Sequence, residues 1–145
     1  MYTVARSALV MHSAGDMFAL VNDVDAYEEF LPWCGGSEVL ERNDDEVIAR
    51  VDIAFRGIHK SFVTRNRLQP VTRTAMSLVE GPFSELTGTW DFTPIDEKAC
   101  RISLDLRFGF SNRLVEKLVG PVFRAIADSM VESFVKRADD LYGTP

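Results

Sequence analysis

The stretch Cys100–Phe110, CRISLDLRFGF, decides the fold of this 145-residue chain. Apolar side chains at its even-numbered positions alternate with polar side chains or glycine at its odd-numbered positions. A period of two residues indicates a β-strand with one buried and one solvated face. The segment from Val47 to Phe55 repeats this alternation. The two segments together predict an antiparallel sheet that is covered on one face.

Turn-forming residues divide the chain on either side of these two segments. Between Gly35 and Phe110 they fall at Asn43-Asp44-Asp45, Gly57, Gln69-Pro70, Gly81-Pro82 and Asp96-Glu97. This spacing is typical of an antiparallel meander, and with a first strand at Tyr2–Met11 it predicts about seven strands.

Two short helices are predicted after the first strand. Ser13 is the expected N-cap of the first helix, and Asp16 stands near its N-terminus, where the helix dipole favours an acid. The second helix is expected from about Asp23 to Phe30, and Pro32 ends it.

A long helix is predicted from Asn112 to about Tyr142. Its apolar residues recur every four positions in two adjacent rows, from Leu114 to Phe134 and from Val115 to Val135. Four residues exceed one turn of 3.6, so the rows wind around the helix. Gly120-Pro121 predicts a kink. A curved sheet wrapped around this helix would bury all the apolar faces, which predicts an α+β fold with one domain over residues 1–145.

Composition is that of an ordinary globular protein, with 46% hydrophobic and 26% charged residues. Sixteen basic and 22 acidic side chains give a net charge of −6, so contact with nucleic acid or an anionic membrane requires a local basic patch. The N-terminal residues do not have the pattern of a signal peptide, and no apolar run approaches about 18 residues. We expect a cytoplasmic protein.

Motifs that carry a family resemblance extend over nearly the whole chain. They are Val21-Asn22-Asp23-Val24 with Tyr27, Phe30-Leu31-Pro32-Trp33-Cys34, Thr64-Arg65-Asn66, Glu80-Gly81-Pro82-Phe83 followed by Leu86, Gly88, Trp90 and Phe92, Cys100-Arg101-Ile102, Met130-Val131, Phe134 and Arg137-Ala138. In this combination the chain resembles the coenzyme Q-binding START-domain family of the polyketide cyclase-like (SRPBCC) superfamily, in particular the bacterial branch named for the ribosome-association toxin RatA. The resemblance implies a helix-grip fold with an internal hydrophobic cavity. It leaves the function open, because the superfamily includes carriers, cyclases and toxins. Trp33 departs from relatives that carry a small residue there.

Few residues are candidates for catalysis. The chain has two histidines, and alternation places His59 on the solvated face of its strand. Motifs for a zinc site, a phosphate-binding loop or a nucleophile elbow are absent from the sequence. Cys34 and Cys100 are expected to be buried, inert thiols. We therefore predict no catalytic residue and no metal site.

At one end of the sheet, polar residues occupy the same alternate strand positions as the inward-facing aromatic residues, which we call the inward parity. These are Lys60, Thr64, Asn66, Thr72 and Thr74. Either that end of the sheet opens to water, or these groups face the polar head of a ligand, and the family resemblance favours the ligand. The predicted ligand-binding residues are Phe55, Lys60, Phe62, Thr64, Asn66, Met76, Leu78, Trp90, Phe92, Leu106, Phe108, Val122, Phe123, Ile126 and Met130.

A pocket mouth is predicted where apolar residues fall in loop-like segments, namely Phe30, Leu31, Trp33, Pro82 and Phe83. The alternative is that they cap the core, and this alternative is favoured for Phe30 and Leu31.

Three functions follow as hypotheses. The first is non-enzymatic binding of ubiquinone or a similar prenylated quinone for respiration or quinone biosynthesis, with no required cofactor and with transient contact with the inner membrane. The second is a ribosome-association toxin that binds the large subunit and blocks subunit joining. Its basic surface would be formed by Arg50, Arg56, Arg65, Arg67, Arg73, Arg101 and Arg107, although Asp52, Asp91 and Asp105 share that face. The third is a polyketide cyclase-like enzyme.

Overall fold

A computed structural model of the protein describes residues 1–143, so the last two residues of the predicted domain, Thr144 and Pro145, lie outside the described residues. Seven strands form one antiparallel sheet in the order β1-β7-β6-β5-β4-β3-β2. The elements are β1 (Tyr2–Val10), α1 (Ala14–Val21), a 3-10 helix (Val24–Glu29), β2 (Cys34–Arg42), β3 (Glu46–Phe55), β4 (Ile58–Gln69), β5 (Arg73–Glu80), β6 (Phe83–Asp96), β7 (Ala99–Phe110) and α2 (Arg113–Tyr142). The predicted fold class and strand number are confirmed.

Strand β7 has the predicted alternation of buried and solvated positions. Ile102, Leu104 and Phe108 are at most 1% exposed, whereas Arg101 and Arg107 are exposed. Adjacent strands place buried residues opposite one another, so that Leu104 pairs with Trp90 and Ile102 with Phe92 on β6. The covered face of the sheet is therefore continuous from strand to strand.

Helix α2 begins at a capped N-terminus and continues through its proline. The Asn112 Oδ1 atom accepts a hydrogen bond from the Val115 backbone N–H at 2.9 Å. Pro121 lies inside the helix on the exposed side and does not end it. The kink predicted at Gly120-Pro121 stays a prediction.

The predicted short helices are present with small differences. The Ser13 hydroxyl accepts a hydrogen bond from the Asp16 N–H at 3.1 Å and caps α1, as predicted. The second helix is a 3-10 helix over Val24–Glu29 and is shorter than the predicted Asp23–Phe30. Strand β1 ends at Val10 rather than at Met11.

Aromatic side chains fill most of the space between α2 and the sheet. The ring centroids of Phe123 on α2 and Phe108 on β7 are 4.8 Å apart, and those of Phe134 and Trp90 are 5.4 Å apart. Polar contacts tie the edge strand β1 to the same helix: the Arg6 guanidinium lies 2.7 Å from the Asp128 carboxylate. These rings leave open an internal region, which is the site described next.

Candidate ligand cavity

A cavity of about 70 Å³ lies between α2 and the concave face of the sheet. Its wall is formed by Val24, Tyr27, Trp33, Ala49, Val51, Phe62, Thr64, Asn66, Met76, Leu86, Trp90, Leu104, Leu106, Phe123, Ile126, Ala127 and Met130. Sites that enclose drug-sized ligands measure about 300–1,000 Å³. A guest larger than a few atoms therefore requires the wall to move.

The energetic cost of this cavity is small. At about 24 cal/mol per Å³, a volume of about 70 Å³ costs about 1.7 kcal/mol if it stays empty. A domain of this size has about 5–15 kcal/mol of stability, so the protein tolerates the cavity without a ligand.

Part of the wall is formed by half-buried, adaptable side chains. Phe62, Met76 and Met130 line the cavity and are also partly exposed, so the cavity approaches the surface at these residues. Methionine has three rotatable bonds and repacks at low cost. Gly88 lets the Met76 and Leu106 side chains pack against the backbone of β6, because a Cβ there would lie 2.8 Å from the Met76 Cε and 2.5 Å from the Leu106 Cδ2. These residues are where the cavity can enlarge.

Four side chains bring polar atoms to the wall. The Tyr27 hydroxyl donates to the Val21 carbonyl, and burial raises the pKa of this phenol. The Thr64 hydroxyl donates to the Asn66 Oδ1 at 3.0 Å. The indole N–H of Trp33 is buried and has no hydrogen-bond partner within residues 1–143. An unpaired buried donor costs about 1–3 kcal/mol, so it marks a place where a partner is missing.

Of the 15 predicted ligand-binding residues, nine line the cavity and six do not. The cavity wall contains Phe62, Thr64, Asn66, Met76, Trp90, Leu106, Phe123, Ile126 and Met130. Phe92, Phe108 and Val122 do not line it, because they are buried in side-chain packing, and Leu78 is half-buried elsewhere on β5.

Three predicted positions at the end of the sheet are placed differently from the prediction. Lys60 pairs with the buried Ile53 but is itself exposed, because the sheet extends into water at the start of β4. Phe55 is half-buried under the Arg56 guanidinium, 4.9 Å from the ring centroid, and Thr72 is exposed in the turn before β5. Their inward parity was therefore an insufficient guide, and this end of the sheet opens to solvent.

The predicted mouth residues are mostly inside the protein. Leu31, Trp33 and Phe83 are 2%, 4% and 5% exposed, so they do not form an open rim. Phe30 packs against Phe134 at a centroid distance of 5.3 Å, which agrees with the favoured interpretation that it caps the core. Pro82 is half-buried in the turn before β6. Trp33 belongs to the cavity wall instead.

Several wall residues were missed by the sequence analysis. Val51 and Leu104 have the inward parity that selected their neighbours, and could have been included on that basis. Tyr27 and Val24 come from the 3-10 helix, whose orientation has no periodic signal in so short a segment. The others are Ala49, Leu86 and Ala127.

The histidines lie away from the cavity wall. The His12 Nε2 atom lies 2.7 Å from the Asp139 carboxylate, and this partly buried contact joins the segment after β1 to the end of α2. His59 is exposed, as predicted. Residues 1–143 contain no group of His, Cys, Asp or Glu side chains arranged to hold a metal ion.

Arginines on the outer face of the sheet are largely neutralised by acids. Arg73 lies 2.7 Å from Asp91, and Arg65 lies 3.0 Å from Glu46. Arg67 shares Glu46 at the longer distance of 3.9 Å. We call Arg65, Arg67 and Arg73 the outer arginine strip; its ion pairs contain three guanidinium groups and two carboxylates.

Comparison with known proteins identifies the family. The family model described as "Polyketide cyclase / dehydrase and lipid transport" matches residues 10–135. The chain belongs to this family.

The names of similar proteins and of solved structures describe different functions. The chain is 50% identical over 143 residues to the ribosome association toxin RatA of Vibrio cholerae, covering 99% of both chains. It is 26% identical over 143 residues to the mitochondrial coenzyme Q-binding protein COQ10 homolog B of Xenopus laevis, covering 96% of this chain and 59% of that one. The crystal structure of the Zhui aromatase/cyclase from a Streptomyces species superimposes with a TM-score of 0.84 at 16% identity, over 95% of this chain and 93% of that one. This last similarity concerns the fold alone. No helix within residues 1–143 is long and apolar enough to cross a membrane.

Proposed function

We propose that this protein associates with the ribosome, binds the large subunit and interferes with subunit joining. The observation that carries the proposal is the 50% identity, over nearly the full length of both chains, to a protein named a ribosome association toxin. Such a role would place the protein in the cytoplasm. It reverses the order of the sequence-based hypotheses, in which quinone binding came first.

The outer arginine strip is the surface that we propose for contact with ribosomal RNA. The whole chain carries a net charge of −6, which repels phosphate, so binding depends on a local excess of positive charge. Of the three, Arg67 makes the longest ion pair, because its Nε lies 3.9 Å from a carboxylate that Arg65 also contacts. Its side chain is 73% exposed. Phosphate could replace that carboxylate at little cost.

Sedimentation with purified ribosomal subunits tests this proposal. We expect the protein to move with the large subunit at about 50 mM salt and to dissociate markedly at about 200 mM, because phosphate contacts weaken steeply with salt. The Arg67→Ala variant should bind more weakly and lower the salt slope by about one. Arg6→Ala is the matched control, since Arg6 pairs with Asp128 of α2 on another part of the surface. Protein that remains unbound at both salt concentrations would contradict the proposal.

We also propose that the cavity binds a small apolar molecule, for which a prenylated quinone is the specific candidate. The cavity observed under α2 supports this, as does the name of the more distant coenzyme Q-binding relative. The two roles are compatible, because the cavity and the outer arginine strip lie on opposite faces of the sheet. Contact with the inner membrane would serve the exchange of such a guest.

Extraction of purified protein with organic solvent tests cavity binding. A co-purified quinone, or saturable binding of an added short-chain quinone, is the expected result. Repeated absence of both would refute it. The third hypothesis, a cyclase-like enzyme, is supported by the description of the matching family and by the shared fold of the aromatase/cyclase.

A further inference from the structure

We propose that the first half of α2 is a docking surface for an anionic phospholipid membrane. The surface consists of Leu114 and Leu118 together with the cations Arg113, Lys117 and Arg124, and we call it the leucine–cation face. This inference rests on the membrane contact proposed above, and it specifies where on the protein and by which chemistry that contact is made. It does not require the cavity to be occupied.

The apolar row that begins at Leu114 is exposed at its first two members. Leu114 and Leu118 are 67% and 56% exposed, whereas Val122 and Ile126, which continue the row, are 7% and 3% exposed. Val119 takes the inward position in this part of the helix and is 1% exposed. The first turns of α2 are therefore apolar on two sides, and the rest of the protein covers one of them.

The exposed leucines belong to one continuous surface. Residues three or four positions apart are neighbours on a helix, so Leu114 adjoins Leu118, and Leu118 adjoins the exposed Pro121. A surface groove brings together Tyr2, Arg113, Leu114, Glu116, Lys117 and Pro121. Single exposed leucines are common on proteins, whereas leucines in a row bordered by cations are typical of helices that lie in a membrane interface.

Charges are distributed unevenly along α2. Residues 113–127 carry three cations and one acid, Glu116, whose carboxylate accepts a hydrogen bond from the Tyr2 hydroxyl at 3.2 Å. Residues 128–142 carry four acids and two cations. The helix dipole favours the opposite arrangement, with acids at the N-terminus and cations at the C-terminus. Helix stability therefore does not explain the cations of the first half, whereas an anionic partner does.

The three cations are available to such a partner. Within residues 1–143, Arg113 and Lys117 form no ion pair. The Arg124 Nε atom lies 4.0 Å from the Asp128 carboxylate, which is also 2.7 Å from the Arg6 guanidinium. All three cations are exposed. Each of them can therefore contact a lipid phosphate without first breaking a close ion pair.

The combination of leucines and cations selects among the candidate partners. RNA phosphates would bind the cations but would gain nothing from two leucine side chains. A second copy of this face would place cations against cations, because Glu116 is the one acid of residues 113–127. The interface of an anionic bilayer accepts both, since its phosphates contact the cations and the acyl boundary takes up the leucines. The acids elsewhere on the chain act weakly there, because charges more than about 10 Å apart are largely screened at 0.1 M salt.

Flotation with lipid vesicles tests the inference. We expect the protein to float with vesicles of phosphatidylethanolamine and phosphatidylglycerol in equal parts, and to bind vesicles of phosphatidylcholine alone more weakly. Lys117→Gln should weaken binding to the anionic vesicles by about fivefold, which corresponds to about 1 kcal/mol for one cation near such a surface. The double variant Leu114→Gln/Leu118→Gln should weaken it by about tenfold or more, because the apolar part of the contact is lost.

Two matched controls lie on the second half of the same helix. Leu141 and Lys136 are exposed on α2 beyond the leucine–cation face. Leu141→Gln and Lys136→Gln should leave binding to the anionic vesicles unchanged within about twofold. Glutamine is a good helix former, so far-ultraviolet circular dichroism should show the same helix content in all the variants.

The outcomes separate this inference from the proposal on which it rests. If the wild-type protein floats with anionic vesicles and the Lys117 and leucine variants float equally well, the membrane contact stands and this assignment of its surface is overturned. If the wild-type protein floats with neither kind of vesicle, the membrane contact itself fails and the inference fails with it.

Sedimentation with the large ribosomal subunit is the second assay. Leu114→Gln/Leu118→Gln should bind the subunit as the wild-type protein does, because the outer arginine strip lies on the opposite face of the sheet. A variant that loses the subunit but still floats with anionic vesicles would assign the leucine–cation face to the ribosome and overturn the inference.

Discussion

Filling the cavity with a side chain should raise stability and abolish ligand binding together. Ala127 on α2 is 1% exposed and lines the cavity, so Ala127→Leu directs three additional carbons into it. Removing about 70 Å³ of empty space is worth at most about 1.7 kcal/mol. Ordering a leucine side chain costs about 0.5–1 kcal/mol, which leaves a net gain of about 1 kcal/mol. For a chain of this length, the midpoint of thermal unfolding should rise by about 2–4 °C.

Thermal and urea unfolding followed by circular dichroism measure the first effect, and titration with a short-chain quinone measures the second. Ala19→Leu is the matched control, because Ala19 is exposed on α1 and the change should alter the free energy of unfolding by less than about 0.5 kcal/mol. A loss of stability in Ala127→Leu would show that the cavity has no room for the side chain. A stabilised variant that still binds the quinone normally would refute the assignment of the cavity as the binding site.

Three other expectations concern the packing that surrounds the cavity. Phe134→Ala should lower the free energy of unfolding by about 3–5 kcal/mol in urea titrations, since this fully buried ring packs against three other aromatic rings. A loss below about 1 kcal/mol would contradict this expectation. Asn112→Ala should cost about 1 kcal/mol by removing the cap on the Val115 N–H, and Asn112→Asp should retain most of it. Burial raises the pKa of Cys34 and Cys100, so alkylation of the native protein near pH 8 should be slow and should accelerate in urea; rapid native labelling would argue against that burial.

The alternation of residues along a strand correctly predicted which side chains are buried wherever the helices and neighbouring strands cover that part of the sheet. Leu104 and Trp90 lie opposite each other near the middle of the sheet, and parity alone placed both inside. Lys60 has the same parity at the beginning of β4 and is nevertheless exposed, because this end of β4 extends into solvent. Parity reports which face a side chain occupies, and only the position of the covering helix reports whether that face is dry.

The order of elements, the sheet and the helix that crosses it are already present in the amino-acid pattern, because a two-residue period and a four-residue apolar recurrence are local properties of the chain. The cavity is different, since it depends on how aromatic rings from five distant segments fit together. Because protein interiors are close-packed, a side chain larger or smaller by one methylene group can fill such a space or leave it empty. The same holds for Trp33, whose indole could equally have met a backbone carbonyl. That Trp33 lines a cavity and has no acceptor for its indole N–H among residues 1–143 is a property of the assembled protein, and it arises from residues that are remote in sequence.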